Sequence, residues 1–168
     1  MRTQLKHILT NRQLLATCIK YGLIGCTVYS GFFLLMRMVG LAHFTELRFF
    51  NYAVMCLVSF YALKQATVLN SRQPTFFMDM AIIFVTCVLS FVFFGMFIFI
   101  YSVFDPFIME TFTKINPGSL AFGRYSAPFF IVAEGFGLSS VVALGMTFFF
   151  RSLRERRNVN GEIPREFV

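Results

Sequence analysis

Apolar and charged positions separate along this chain: charges fall in short clusters, and the long segments between them carry almost none. About 20 consecutive apolar residues make a helix long enough to cross a bilayer, so each such segment is a candidate span. The pattern predicts four spans, at about residues 21–39, 49–69, 76–104 and 125–150. We therefore expect an all-α integral membrane protein in which residues 1–168 form a single four-helix domain.

The two ends of the chain are polar and cationic. Residues 1–19 place apolar side chains near helical spacing, such as Leu5 and Ile8, with cations such as Lys6 between them. This favours an amphipathic helix lying at the cytosolic membrane surface, and a frayed polar tail is the alternative. At the other end, RSLRERRNVNGEIPREFV predicts a basic cytosolic tail over residues 151–168.

The distribution of cations predicts the topology, because cytosolic loops are enriched in lysine and arginine. If the amino terminus is cytosolic, the outer side holds only Arg37, Arg48, Lys114 and Arg124, which leaves eleven of the 15 lysines and arginines on the inner side. This asymmetry predicts that both termini are cytosolic.

The connection between the third and fourth spans has a helix-start signature. Asp105 is a suitable N-cap, and Pro106 suits the first helical position. Ile108, Phe112 and Ile115 then form one apolar stripe. We expect a short amphipathic helix on the outer membrane face, where lipid contact is favoured over the docking of a partner protein.

The composition agrees with a membrane protein. Hydrophobic residues make up 57% of the chain, the mean hydropathy is +0.70, and 14% of residues are charged, against about 25% in typical soluble domains. The net charge of +7 does not indicate nucleic-acid binding, because the cations bracket the apolar segments, where they meet lipid headgroups. None of the four cysteines belongs to a C-x-x-C pair, so we interpret Cys18, Cys26, Cys56 and Cys87 as packing residues and expect neither a metal site nor a cofactor.

One acid, Glu134, lies inside the apolar run FFIVAEGFGLSS of the fourth span. It is about nine residues into that span, roughly 14 Å at the helical rise, which places it near the bilayer midplane. An ionised carboxylate there costs at least about 3 kcal/mol on insertion scales. We therefore expect Glu134 to be neutral or paired, in a buried polar layer with Ser30, Ser59 and Thr86 at the same depth.

Small residues share the side of the fourth helix that carries Glu134. Gly137, Val141 and Gly145 lie on that side, and Ala133 with Gly137 forms a small-xxx-small pair. Because small residues allow a neighbouring helix to approach closely, we expect this side to face protein rather than lipid. Two roles for Glu134 stay open: hydrogen bonds that fix the register of neighbouring helices, which is favoured, and proton or ion movement.

Two further charges lie near the cytosolic ends of spans. Lys64 in the second span is long enough to extend its ammonium group toward the lipid headgroups, and Asp79 lies near the start of the third. We expect these two residues to form an ion pair that clamps the short cytosolic turn between the spans.

Three motifs resemble a known family: KYGLI at residues 20–24, the step from Asp105 to Pro106, and AEGFGLSSVVALGMTFFFRS, which contains Glu134. Over about residues 18–155 the chain resembles the four-span membrane proteins called domain of unknown function 4199, met mainly in Bacteroidota. The resemblance implies four helices and a bacterial inner-membrane location, but no activity, since the family has none assigned. The connection between spans three and four is shorter and less charged than in that family, so no role of that loop carries over.

The functional prediction follows from this inventory. The sequence has no nucleophile–base pair, phosphate-binding loop or zinc spacing, so we do not expect an enzyme. The leading hypothesis is a small non-enzymatic subunit or accessory protein of a larger inner-membrane assembly, whose partners are membrane lipids and other membrane subunits or a second copy. The alternative is a small homodimeric proton-coupled transporter that uses Glu134. A lipid-binding or envelope-stress factor is a third class, for which the sequence has no distinctive mark.

Overall fold

The structure, a computed structural model, describes residues 2–41, 48–69, 75–105 and 126–159, and the side-chain surroundings of residues 12–41, 50–68, 75–105 and 128–153. This part of the chain forms four helices: α1 Arg2–Met38, α2 Arg48–Leu69, α3 Phe76–Phe104 and α4 Ser126–Val159. The bounds predicted for the second and third helices are confirmed to within one residue. The predicted amphipathic helix beginning at Pro106 lies outside the described residues.

Three helical segments within the described residues are long and apolar enough to cross a membrane, namely Arg12–Met38, Phe76–Phe104 and Pro128–Leu153. This all-helical fold fits an all-α membrane protein. Within the described residues, the 22-residue helix α2 is not one of these three candidate spans. A fourth span, and the orientation of the helices in the membrane, therefore stay predictions.

Helices α1 and α3 run parallel to each other. Toward one end, the Cys18 thiol donates a hydrogen bond to the carbonyl oxygen of Ile82, with 3.8 Å between Sγ and O. Toward the other end, Arg37 forms an ion pair with Asp105. Residue numbers rise in the same direction along both helices, so the two are parallel. We call the end that carries this ion pair the Arg37 end of the bundle.

The other two helices run in the opposite direction. Helix α4 is antiparallel to α3, because Phe76 packs against Phe148 while Phe84 packs against Phe136. Helix α2 is parallel to α4, as indicated by contacts at two levels, Tyr52 with Glu134 and Phe60 with Phe150. The described helices therefore form an up-down-up-down bundle.

Helix α3 is the centre of this bundle. It packs against each of the other three helices, whereas α2 and α4 touch each other only sparsely. Half of the most apolar stretch of α3 is buried inside the protein (50%), against 22% for α1 and 17% for α4. The remaining apolar surface of α1 and α4 faces outward, as expected for helices in contact with lipid.

The predicted boundary between an interfacial helix over residues 1–19 and a first span is not observed. Helix α1 is continuous from Arg2 to Met38. Its sequence contains no glycine or proline before Gly22, so nothing interrupts the helix near residue 20. Leu14 and Cys18 are buried in a cluster with Ala66 and Ile82. Leu14 and Cys18 therefore pack within the bundle, whereas a location of residues 1–19 at the membrane surface stays a prediction.

Helix α4 also extends beyond its predicted end. The apolar segment was expected to stop near residue 150, but the helix continues to Val159. The additional sequence, RSLRERRNV, contains four arginines, one leucine and one glutamate, and no glycine or proline. Because these residues favour helix formation in water as well, the predicted basic tail begins as a helix.

Candidate functional site

Glu134 lies on the exposed surface of α4, not in the interior of the bundle. Across the sparse contact between α4 and α2, the Tyr52 hydroxyl donates a hydrogen bond to Glu134 Oε1, with 3.5 Å between the oxygens. This bond is at the long limit of hydrogen-bond geometry, so its contribution to stability is small. The predicted burial of Glu134 is therefore wrong for the single chain.

Glu134 lies toward the Arg37 end of the bundle, because it contacts Tyr52 in the first turns of α2. Its position near the bilayer midplane stays a prediction.

The other members of the predicted polar layer do not meet Glu134. Ser59 and Thr86 are fully buried, and Ser30 is partly buried. Ser59 shares a hydrogen bond with Cys87 (3.0 Å), the Thr86 hydroxyl donates to the carbonyl oxygen of Ile82 (2.7 Å), and Ser30 contacts Cys26 (3.9 Å).

Depth is one reason why this layer does not form. Ser59 lies about seven residues beyond Tyr52 on α2, roughly 10 Å along the axis from the level of Glu134. Ser59 and Thr86 instead lie at the contact of α3 with α2 and α1. Their role in the structure is to pack these helices together without leaving a hydroxyl group unpaired.

The buried face of α4 consists of small residues four apart: Gly135, Ser139, Ala143 and Thr147. Phe91 of α3 packs directly against the backbone at Gly135, so a Cβ at this position would overlap its side chain. The hydroxyl groups of Ser139 and Thr147 donate to carbonyl oxygens one turn earlier in α4, which leaves no hydroxyl unpaired at this contact. The close packing of α3 on α4 therefore depends on this face.

The opposite side of α4 is exposed, and we call it the Glu134 face; it comprises Ala133, Glu134, Gly137, Val141 and Gly145. A Cβ added at Gly137 or Gly145 would meet no atom within 4 Å, and Val141 is 67% exposed. These residues do share one side of the helix, as predicted, but that side faces outward. The prediction that this side faces protein instead of lipid stays a prediction.

The predicted ion pair between Lys64 and Asp79 is not formed. Asp79 is 5% exposed in the first turn of α3, whereas Lys64 is exposed on α2. The Asp79 backbone N–H donates to the Thr75 carbonyl oxygen (3.1 Å). A carboxylate in the first turn of a helix is also stabilised by the positive end of the helix dipole.

Asp105 has a role that the sequence analysis missed. It ends α3 as the residue after the last helical turn, and its backbone N–H donates to the Tyr101 carbonyl oxygen. Its carboxylate accepts two hydrogen bonds from Arg37, with 3.0 Å from Nη2 and 3.2 Å from Nε to Oδ2. The pair ties the end of α1 to the end of α3. Whether Asp105 also caps a following helix at Pro106 lies outside the described residues.

Tyr29 is the largest fully buried polar side chain at the level of Glu134. It is 1% exposed, and its ring packs on Phe91 and Phe94 with centroid distances of 5.5 and 5.8 Å. Among the described residues, its hydroxyl group has no hydrogen-bond partner. A buried hydroxyl group without a partner costs roughly 1–3 kcal/mol of folding free energy. The ring of Tyr29 therefore stabilises the fold by packing, whereas its hydroxyl group destabilises it.

The described part of the chain contains no group of three or more histidine, cysteine, aspartate or glutamate residues that could hold a metal ion. No family model, curated protein or solved structure matches the chain. The resemblance to domain of unknown function 4199 therefore stays a prediction, and the chemistry of the Glu134 face is the remaining guide to function.

Proposed function

We propose that this protein is a small non-enzymatic subunit or accessory protein of a larger assembly in the bacterial inner membrane. The observation that carries the proposal is the exposure of Glu134 within the apolar part of α4, beside glycines that leave room for another helix. The four-span topology with both termini cytosolic belongs to the proposal and is supported by the distribution of cations along the sequence.

Exposure to lipid alone is an unfavourable environment for this acid. A carboxylate at the centre of the hydrocarbon region costs at least about 3 kcal/mol, and polar residues in such segments usually face protein or a water-filled cavity. A neighbouring protein on the Glu134 face would remove part of this cost. It would also bury Val141, which is 67% exposed in the single chain.

Purification of the tagged chain from membranes of its native host in mild detergent tests this proposal. We expect another membrane protein to co-purify in a constant ratio. A chain that always elutes alone, or only with further copies of itself, contradicts the proposal.

The chain offers a matched pair of variants for this purification. A Cβ at Gly137 on the Glu134 face, or at Gly31 on the exposed side of α1, would meet no atom of the protein within 4 Å. Gly137→Phe should release the partner, whereas Gly31→Phe, which adds the same side chain at another exposed glycine, should retain it.

The alternative function is a homodimeric proton-coupled transporter that uses Glu134. It is supported by the link that Glu134 makes to Tyr52 across the sparsely packed side of the bundle. It requires a second copy to enclose Glu134, and therefore predicts a self-associated chain in the same purification.

A further inference from the structure

We propose that Lys20 of α1 and Lys64 of α2 together bind the phosphate group of one anionic phospholipid, whose acyl chains lie along the apolar surface beside them. This inference goes beyond the proposed function and does not depend on a protein partner. Three features of the described residues carry it: the level of the two lysines, the side of the bundle that they share, and the apolar residues next to them.

The two lysines lie at nearly the same level of the bundle. Helices α1 and α2 are antiparallel, and a Cβ at Gly25 of α1 would lie 3.7 Å from the side chain of Val58 of α2. Lys20 is about five residues before Gly25, and Lys64 is about six residues after Val58. Because the helices are antiparallel, both displacements point away from the Arg37 end, by roughly 7–9 Å each. The two lysines are therefore separated by only about 2 Å along the axis.

Both lysines also lie on the side of the α1–α2 pair that faces away from α3. Gly22 of α1 packs against α3, and Lys20 is about 160° from it around the helix. Ser59 of α2 shares a hydrogen bond with α3, and Lys64 is about 140° from it. Both lysines are accordingly exposed. Packed helix axes lie about 8–10 Å apart, so two long side chains on this side can reach one phosphate.

The ammonium groups of the two lysines are available to an anion. Among the described side chains, neither lysine forms an ion pair. The Lys20 ammonium lies over the Tyr21 ring, 5.4 Å from its centroid, a contact that leaves N–H donors for an acceptor. Two like charges at one level repel each other, and an anion between them converts this repulsion into attraction.

The residues next to the lysines indicate a phospholipid rather than a free anion. Ile24, one turn beyond Lys20 on the same side of α1, is exposed, as are Tyr61 and Leu57 about one and two turns before Lys64 on α2. Lys20 itself lies within the candidate membrane span of α1. Acyl chains can cover this apolar surface, whereas a free phosphate gains nothing from it. Cations that adjoin apolar membrane surface are the arrangement that attracts anionic lipids.

Native mass spectrometry of the purified chain in a neutral detergent tests this inference. The probe is phosphatidylglycerol, and zwitterionic phosphatidylcholine is the comparison. We expect one phosphatidylglycerol molecule to bind per chain in preference to phosphatidylcholine. Lys20→Gln combined with Lys64→Gln should weaken phosphatidylglycerol binding roughly ten- to thirtyfold, the effect of losing two cations at a lipid headgroup. Lys20→Arg combined with Lys64→Arg keeps both charges and should retain the preference.

The chain offers a matched control at the same end of the bundle. Arg12→Gln combined with Arg151→Gln removes two other exposed cations and lowers the net charge by the same amount. At physiological ionic strength, charges more than about 8 Å away are largely screened, so this variant should lose less than about threefold. Equal losses in the two glutamine variants would indicate diffuse attraction and overturn the inference. Unchanged binding in the Lys20→Gln, Lys64→Gln variant would overturn it as well.

A second measurement uses the unaltered chain and is therefore independent of how the variants fold. The chain is placed in vesicles of phosphatidylcholine and phosphatidylglycerol, in which one of the two lipids carries a photoreactive group in its acyl chain. We expect photoreactive phosphatidylglycerol to label the segments around Ile24 and Leu57 in higher yield than photoreactive phosphatidylcholine does. Equal yields from the two lipids, or loss of the adducts when inorganic phosphate is added, overturn the inference.

Discussion

The two sides of α4 are built from similar residues but have opposite environments. Each side carries small residues at four-residue intervals, yet the buried face packs against Phe91 of α3 while the Glu134 face is exposed. Gly135 and Gly137 are only two residues apart, and two residues correspond to about 200° around a helix. Small-residue spacing therefore indicates that a helix can be approached closely, but it does not identify which neighbour approaches.

The largest expected effect comes from filling these two glycines. Gly135→Leu should lower the free energy of unfolding in detergent by about 3 kcal/mol or prevent folding, because the new side chain overlaps Phe91. Gly137→Leu adds the same atoms to open space and should leave stability unchanged or slightly raised, since leucine favours helix more than glycine does. Denaturant titration of both purified variants measures the difference. Equal losses would show that the two faces are not distinct.

Helix α1 offers the same comparison on a second helix. A Cβ at Gly25 would crowd Ser90 of α3, whereas a Cβ at Gly31 would meet no atom within 4 Å. We expect Gly25→Val to cost about 1–3 kcal/mol of unfolding free energy, because either Ser90 or the helices must move. Gly31→Val should cost less than about 0.5 kcal/mol, as for other surface substitutions. If Gly31→Val is as harmful as Gly25→Val, exposure in the single chain is a poor guide to packing.

The sequence predicted where the helices begin and end better than it predicted which side of each helix faces the interior. The bounds of α2 and α3 follow from the length of uninterrupted apolar sequence and from the polar residues beside it. The sequence did not predict that α1 continues through Lys20, because the cations before that residue favoured a separate helix at the membrane surface. The absence of glycine and proline before Gly22 was the signal that could have corrected it.

The error at Glu134 has a physical cause. An acid in an apolar helix was assumed to face the interior, and that assumption set the rotation of α4. The sequence also contained a competing stripe, in which Ser139 and Thr147 supply hydroxyl groups that bond within their own helix. Its partner, Phe91, lies far away in the sequence, and no helical pattern specifies that contact. For the same reason the links from Tyr52 to Glu134 and from Arg37 to Asp105 required the structure.

A smaller effect on the free energy of unfolding is expected from Tyr29, whose hydroxyl group lies inside the bundle. Tyr29→Phe removes a buried hydroxyl that has no partner among the described residues and keeps the ring that packs on Phe91. We expect it to raise the free energy of unfolding by about 1 kcal/mol. Tyr29→Ala is the control, and loss of the ring should cost about 3–5 kcal/mol. A loss of stability in Tyr29→Phe would show that the hydroxyl has a binding partner.

The smallest effect concerns the acid itself. Tyr52→Phe removes the donor of the 3.5 Å bond to Glu134 and should lower the stability of the isolated chain by less than about 0.6 kcal/mol. Glu134→Gln keeps an acceptor oxygen for this bond and should retain it. If Glu134 instead serves proton-coupled transport, Glu134→Gln should abolish pH-dependent uptake into vesicles while insertion stays normal. A large loss of stability in Tyr52→Phe would contradict the small contribution expected of a 3.5 Å bond at an outward face.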